Sequence, residues 1–200
     1  MTSRREFLQI GITATALPLA SKAARAAKQP AAEHVRLYKV VYDLRFPDSV
    51  AFAERAKALG LFVHAIEGDM TRFWYDDLYH RWKEGPAAIA GLTGRGAMFC
   101  FEQLARDRGM RSVFRAMHTL DAAGRVEHDL AGPLPMVRDS MDLDTRGGRW
   151  AACMAEVVAS CPSGRAEITH ARASSAVAFR PGIPDDDVLY SWVIAPAVKA

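Results

Sequence analysis

Three short stretches of this chain combine carboxylates, guanidinium groups and glycines in a pattern that could hold a small anion. They are Asp43-Leu44-Arg45, Glu67-Gly68-Asp69 and Gly91-Leu92-Thr93-Gly94-Arg95-Gly96. Glycines that open a helix leave backbone N–H groups free for an anion, and Arg45 and Arg95 would add charge to the same ligand. Asp43 or Asp69 would then serve as acid or base if the site were catalytic. Asp69 and Thr93 also stand where helices need N-caps, which is reason enough for either residue. The Gly-x-x-Gly-x-Gly order is neither a Walker loop nor a dinucleotide fingerprint.

These stretches become one site only if the elements before them are neighbouring parallel strands. Leu37 to Tyr42 is apolar on both faces and predicts a strand covered on two sides. Pro47-Asp48-Ser49 opens a helix that ends at Gly60, and Leu61 to Ile66 predicts a second strand. A second helix runs from Asp69 to about Lys83, a third strand over 87–92, and a third helix from Gly94 to Arg108. This alternation implies right-handed crossovers and a parallel sheet. Ligands bind beyond the carboxyl ends of such strands, where all three stretches fall.

The C-terminal half reads differently. Met110 to Leu120 and Arg125 to Leu130 flank Asp121-Ala122-Ala123-Gly124 as a hairpin, Arg149 to Ser160 is a fourth helix, and 168–179 and 188–194 are closing strands. The expected fold is therefore α/β: a three-layer, mostly parallel sheet from βαβαβα units, extended by antiparallel strands.

A second candidate surface is the aromatic helix Phe73-Trp74-Tyr75-Asp76-Asp77-Leu78-Tyr79-His80-Arg81-Trp82. Met70, Trp74, Leu78 and Trp82 make its core stripe. Tyr75, Tyr79 and His80 lie off that stripe and could meet a partner, while Asp76-Asp77 and Asp185-Asp186-Asp187 read as solvated charge.

Metal and cofactor motifs are weak. In the expected hairpin His118 faces Glu127, with His128 as its diagonal neighbour. Neighbouring side chains on a strand point to opposite faces, and no His-x-His or His-Glu-x-x-His motif occurs. His64, inside the second strand, reads as a core histidine. No nucleotide, haem or iron–sulfur signature is present, so no cofactor is evident, and nucleophile-elbow and papain-like signatures are absent too. Cys100, Cys153 and Cys161 are an odd set that leaves at least one thiol free or paired between chains.

The N-terminus indicates where the protein works. Ser3-Arg4-Arg5-Glu6-Phe7-Leu8 precedes a mildly apolar run from Ile10 to Ala20 and then Ala24-Arg25-Ala26. The order Ser-Arg-Arg-x-Phe-Leu, with the small-x-small site, resembles a twin-arginine (Tat) signal peptide. The resemblance covers the peptide alone and implies export in folded form to the periplasm. The apolar run is about half the roughly 20 residues a spanning helix needs, so no stable membrane insertion is expected after cleavage. Residues 1–26 would be the signal, 27–34 a Pro/Ala tether and 35–200 one α/β domain.

Four of the 26 Lys+Arg (Arg4, Arg5, Lys22, Arg25) and one of the 23 Asp+Glu (Glu6) lie in that signal. Its removal takes the formal net charge from +3 to about zero. A nucleic-acid partner then loses its electrostatic motive. Two function classes remain. One is a non-catalytic exported subunit or small-molecule binding protein, whose partner would be a larger exported protein or a small anionic ligand. The other is a small periplasmic enzyme acting on an anionic metabolite.

Overall fold

The first strand is β1 (Leu37–Asp43), whose neighbours Val40 and Val41 are both fully buried. Strand side chains alternate, so Val40 joins a cluster with Phe52, Ala90 and Val193 while Val41 joins another with Phe101, Ile89 and Trp192. In the computed structural model, which describes residues 34–120, 125–143, 149–176 and 188–197, this two-sided burial marks the parallel half of the sheet. The signal-peptide reading of 1–26, the tether up to residue 33, the hairpin turn 121–124 and the acidic loop residues 185–187 lie outside the described residues.

The elements follow as α1 (Pro47–Ala58), β2 (Val63–Ile66), α2 (Thr71–Phe73), a π-helical turn (Trp74–Leu78), α3 (Tyr79–Glu84), β3 (Ala88–Gly94) and α4 (Arg95–Arg106). Then come β4 (Met110–Leu120), β5 (Arg125–Pro133), α5 (Leu134–Met141), α6 (Trp150–Ala159), β6 (Ile168–Ala176) and β7 (Val188–Pro196). They build an α/β fold on one mixed sheet of seven strands in the order β2-β1-β3-β7-β4-β5-β6. The β1–β2 and β1–β3 pairs are parallel, and the other four are antiparallel. Parallel pairing is thus confined to the first three strands, a smaller share than the alternating pattern predicts. The difference comes from β7, which returns from the C-terminus to lie antiparallel between β3 and β4.

Gly91 permits a close approach at the centre. A Cβ there would lie 2.6 Å from both the Val41 carbonyl oxygen and Trp192 Cζ2. Without one, the Trp192 indole packs onto the strand backbone and against Phe101, with ring centroids 5.3 Å apart.

The aromatic helix carries one residue more, in its single π-helical turn, than the 3.6 period allows. Its buried residues are Met70, Phe73, Leu78 and Trp82, whereas Trp74 is only half-buried. The step from Phe73 to Leu78 is five residues, which an α-helix would swing off the core and a π turn brings back. Phe73 therefore replaces Trp74 in the expected stripe. Asp77 is also turned inward: it accepts a hydrogen bond from the Tyr38 hydroxyl at 2.6 Å and pairs with the Lys39 ammonium, so it is not solvated charge.

Among the described residues, helices cover β5 and β6 on one face. Along β5, Val126, His128 and Leu130 are buried while Arg125, Glu127 and Asp129 are exposed. Trp150, Met154, Val157 and Val158 of α6 and Met136 and Val137 of α5 belong to the cluster on the covered side. On the opposite face Arg125, Glu127, Asp129 and Arg172 are exposed, and α4 covers β3, β7 and part of β4.

Candidate functional site

The carboxyl ends of β1, β2 and β3 do converge. Asp43 is fully buried, and its carboxylate accepts hydrogen bonds from Arg45 Nε at 3.0 Å and Arg45 Nη2 at 2.8 Å. Gly68, at φ +80°, lets that guanidinium lie flat on the β2 turn: a Cβ there would be 2.5 Å from Arg45 Cζ. A Cβ on Gly94 would lie 3.5 Å from Arg45 Nη2 and 4.0 Å from Asp43 Oδ2. Ser49 ties the strands together by accepting from the Asp43 backbone N–H at 2.8 Å and donating to the Leu92 carbonyl. Asp43, Arg45 and Gly94 thus meet as expected, but the positive end of α4 already has the chain's own buried carboxylate beside it.

The other rim candidates go elsewhere. Thr93 is fully buried, and its hydroxyl accepts the Trp192 Nε1–H at 3.1 Å, which makes it a core tie between β3 and β7. Asp69 is exposed and accepts the Thr71 backbone N–H at 2.8 Å from one residue ahead of the N-cap of α2, which is Met70 and not Asp69 as expected; hydrogen bonds from the Thr71 side chain and then its backbone lower the Asp69 pKa. Gly96 is exposed, with open space where a Cβ would stand. Arg95 faces away from the rim.

Arg95 lines a groove of about 440 Å³ between α4 and the open face of the sheet. Its wall is Arg95, Met98, Phe99 and Glu102, and its floor is two cross-strand rows. One row runs Tyr190, Met117, Asp129 across β7, β4 and β5; the next runs Arg115, Ala131, His170 across β4, β5 and β6. Among the described residues neither Arg95 nor Arg115 has an ion-pair partner. The floor was hidden from sequence reasoning because it needs the order of four strands, although the alternation Arg125-Val126-Glu127-His128-Asp129-Leu130 announces one solvated face.

A larger cleft of about 840 Å³ lies at the opposite edge, near Arg36, Lys39, Phe62 and Arg81. Two of its cations are already matched, Lys39 by Asp77 and Arg81 by Glu84. It also opens at the amino ends of the parallel strands, away from the side where such sheets bind ligands.

On the aromatic helix Tyr75 is 63% exposed, His80 is exposed and Tyr79 half-buried. Tyr79 meets Trp74 and His80 edge-on at 5.6 and 5.4 Å, and Lys83 Nζ stands 4.4 Å from its ring centroid. Lys83 lowers the Tyr79 pKa by hydrogen bonding to it. Beneath this helix His64 stacks on Phe73 at 4.1 Å, and burial followed by the nearby Lys39 charge lowers its pKa. The hydrogen bond to Asp77, helped by burial, pushes the Tyr38 hydroxyl up to about 12.

The hairpin holds a correction. Leu120 pairs with Val126, so His118 stands directly opposite His128 and Thr119 opposite Glu127. This one-residue shift puts both imidazoles on the buried face. Their Nδ1 atoms are 2.6 Å apart, with His118 Nε2 2.8 Å from Ser191 Oγ and His128 Nε2 2.7 Å from Ser175 Oγ. Burial, joined for His118 by its neighbour's charge, lowers both pKa values, that of His128 to about 4.

Among the described residues no three His, Cys, Asp or Glu side chains converge as a metal site. Cys100, Cys153 and Cys161 are free thiols, and burial raises that of Cys161 to about 11. No described helix is long and apolar enough to cross a membrane. No family model, curated protein or solved structure matches the chain.

Proposed function

We propose that this chain is a non-catalytic binding protein of the periplasm, exported by its twin-arginine signal, that takes a small ligand with an anionic head and an apolar body into the groove beside α4. The observation that carries this reading is the pair of unmatched guanidinium groups, Arg95 from the helix and Arg115 from the sheet, on one groove with Met98, Phe99 and Met117. Arginine binds carboxylate, sulfonate or phosphate with directed N–H groups, and the thioethers and the phenyl ring suit an apolar body. We read the fold at finer grain as three layers in its parallel half, with helices over both faces, and the exposed face of β5 and β6 among the described residues as what makes room for the ligand. The aromatic face of Tyr75, Tyr79 and His80 would be a secondary surface for a larger exported partner.

A catalytic reading draws less support. Asp43, its expected acid or base, already accepts both guanidinium bonds of Arg45, and Asp69 is hydrogen-bonded to Thr71.

Calorimetric titration with 2-naphthalenesulfonate tests the proposal. The expected result is saturable binding that Arg115→Glu weakens at least tenfold, since a charge-assisted hydrogen bond contributes about 1.5–3 kcal/mol. Unchanged affinity in both Arg115→Glu and Arg95→Glu would rule the groove out.

A further inference from the structure

Three groove residues have strand neighbours that point through the sheet into one buried chain of hydrogen bonds. Met117, Asp129 and Tyr190 face the groove; His118, His128 and Ser191, each next to one of them, face the core. The chain runs diagonally across four strands from Ser175 on β6 through His128 and His118 to Ser191 on β7. It ends at Met154 Sδ of α6, 3.6 Å from Ser191 Oγ. Trp150 covers both rings, with centroids 4.5 and 5.3 Å away.

The number of protons decides its direction. Met154 can only accept, so the Ser191 hydroxyl donates to it and cannot also donate to His118. His118 must then carry its proton on Nε2, which donates to Ser191, and its bare Nδ1 accepts from His128 Nδ1–H. His128 Nε2 is left to accept from the Ser175 hydroxyl. Four donors meet four acceptors with both rings neutral, and a further proton puts a charge on a buried ring. A proton on His128 Nε2 reverses the Ser175 bond, so that the ring donates to Oγ and the hydroxyl hydrogen loses its acceptor, and a second, on His118 Nδ1, sets two N–H groups head to head at 2.6 Å.

Among the described residues no counter-charge is at hand. Of the charged residues of the paired strands, Arg115, Arg125, Glu127, Asp129 and Arg172 lie on the opposite face, as do His170 and Tyr190, and Arg111 is exposed near the start of β4. From α6 the titratable groups are Cys153, a buried thiol, and Glu156, which is held by Arg55; Arg138 and Asp139 of α5 are exposed. A buried cation without an anion finds relief in water. The element of this network at the sheet edge is β6, which carries both Ser175 and the groove residue His170.

We propose that the His118–His128 pair is an acid-sensitive latch under the groove: proton uptake frees β6 and thereby releases the bound ligand. The release half of this inference rests on the groove reading; the latch half does not.

The experiment uses the full exported chain at pH 7.5 and 4.0. Amide hydrogen exchange, corrected for intrinsic rates, should show residues 169–175 losing at least tenfold protection at pH 4.0 while β1 stays protected. 2-Naphthalenesulfonate, charged at both pH values, should bind at least tenfold more weakly at pH 4.0 to the wild type and to His170→Gln. In His128→Gln the acid response of both readouts should shrink to less than threefold. Unchanged protection of β6 in the wild type, or a full acid response in folded His128→Gln, overturns the latch. Absence of binding at pH 7.5 with acid-labile β6 overturns the groove reading instead. Should His128→Gln fail to fold, ring nitrogen shifts of the wild type decide. Protonation of His128 in step with the loss of β6 protection is the expected result, and a ring that stays neutral through that loss overturns the latch.

Discussion

Replacing Asp43 by Asn asks whether the rim is closed by its own ion pair. The Asp43 carboxylate is fully buried and accepts Arg45 Nε at 3.0 Å, Nη2 at 2.8 Å and the Arg45 backbone N–H at 3.2 Å. Asn keeps one acceptor oxygen, removes the negative charge and points an NH₂ group at a guanidinium N–H. The Arg45 side chain is 42% exposed, so solvent screens part of the attraction. One lost charge-assisted bond, discounted for that screening, is about 2 kcal/mol. At a urea m-value of about 2 kcal/mol/M, the unfolding midpoint should fall by about 1 M. A cycle with Arg45→Gln should give a coupling of similar size. Affinity for 2-naphthalenesulfonate should stay within twofold, because the groove lies elsewhere. A midpoint shift below about 0.3 M, or additivity of the two changes, would refute the claim that this pair holds the strand ends together.

Gly91→Ala places a Cβ 2.6 Å from the Val41 carbonyl and from Trp192. Neither can yield cheaply in the sheet centre, so a loss of about 3 kcal/mol is expected in chemical denaturation. Tyr38→Phe removes the 2.6 Å bond to Asp77 and should cost about 1 kcal/mol in thermal unfolding. The His128 pKa is depressed from 6.5 to about 4 by burial, so between those pH values the unfolded chain binds more protons. Stability is then full above pH 6.5 and falls as the pH drops, by about 3 kcal/mol at about 1.4 kcal/mol per unit. Denaturation curves from pH 7 to 4 should show this decline, and His128→Gln should flatten it.

Local pattern was enough for the elements whose period repeats undisturbed. β1, α1, β3 and α4 lie within a residue or two of their expected bounds because apolar spacing and glycine stops mark them. The π turn broke the reading of the aromatic helix: one extra residue moves the inward position from Trp74 to Phe73, and no propensity signals it. Strand order was the larger gap. That β7 separates β3 from β4 depends on contacts between residues about 100 apart, so the groove and the His118–His128 pair could not be read from spacing. The rim was half legible: Asp43, Arg45 and Gly94 meet, yet the charges that make Arg45 look like an anion ligand cancel within the pair. Arg95 belonged to the expected site by sequence and to the groove by direction.

Backbone amide shift mapping during titration with 2-naphthalenesulfonate at pH 7.5 tests the central claim most directly. The account predicts saturable shifts concentrated at Arg95, Phe99, Arg115, Asp129, His170 and Tyr190, with residues 43–45 and 36–39 unmoved. Shifts centred on Arg36, Phe62 and Arg81, or on Asp43 and Arg45, would contradict it and move the binding site to the opposite edge or to the rim.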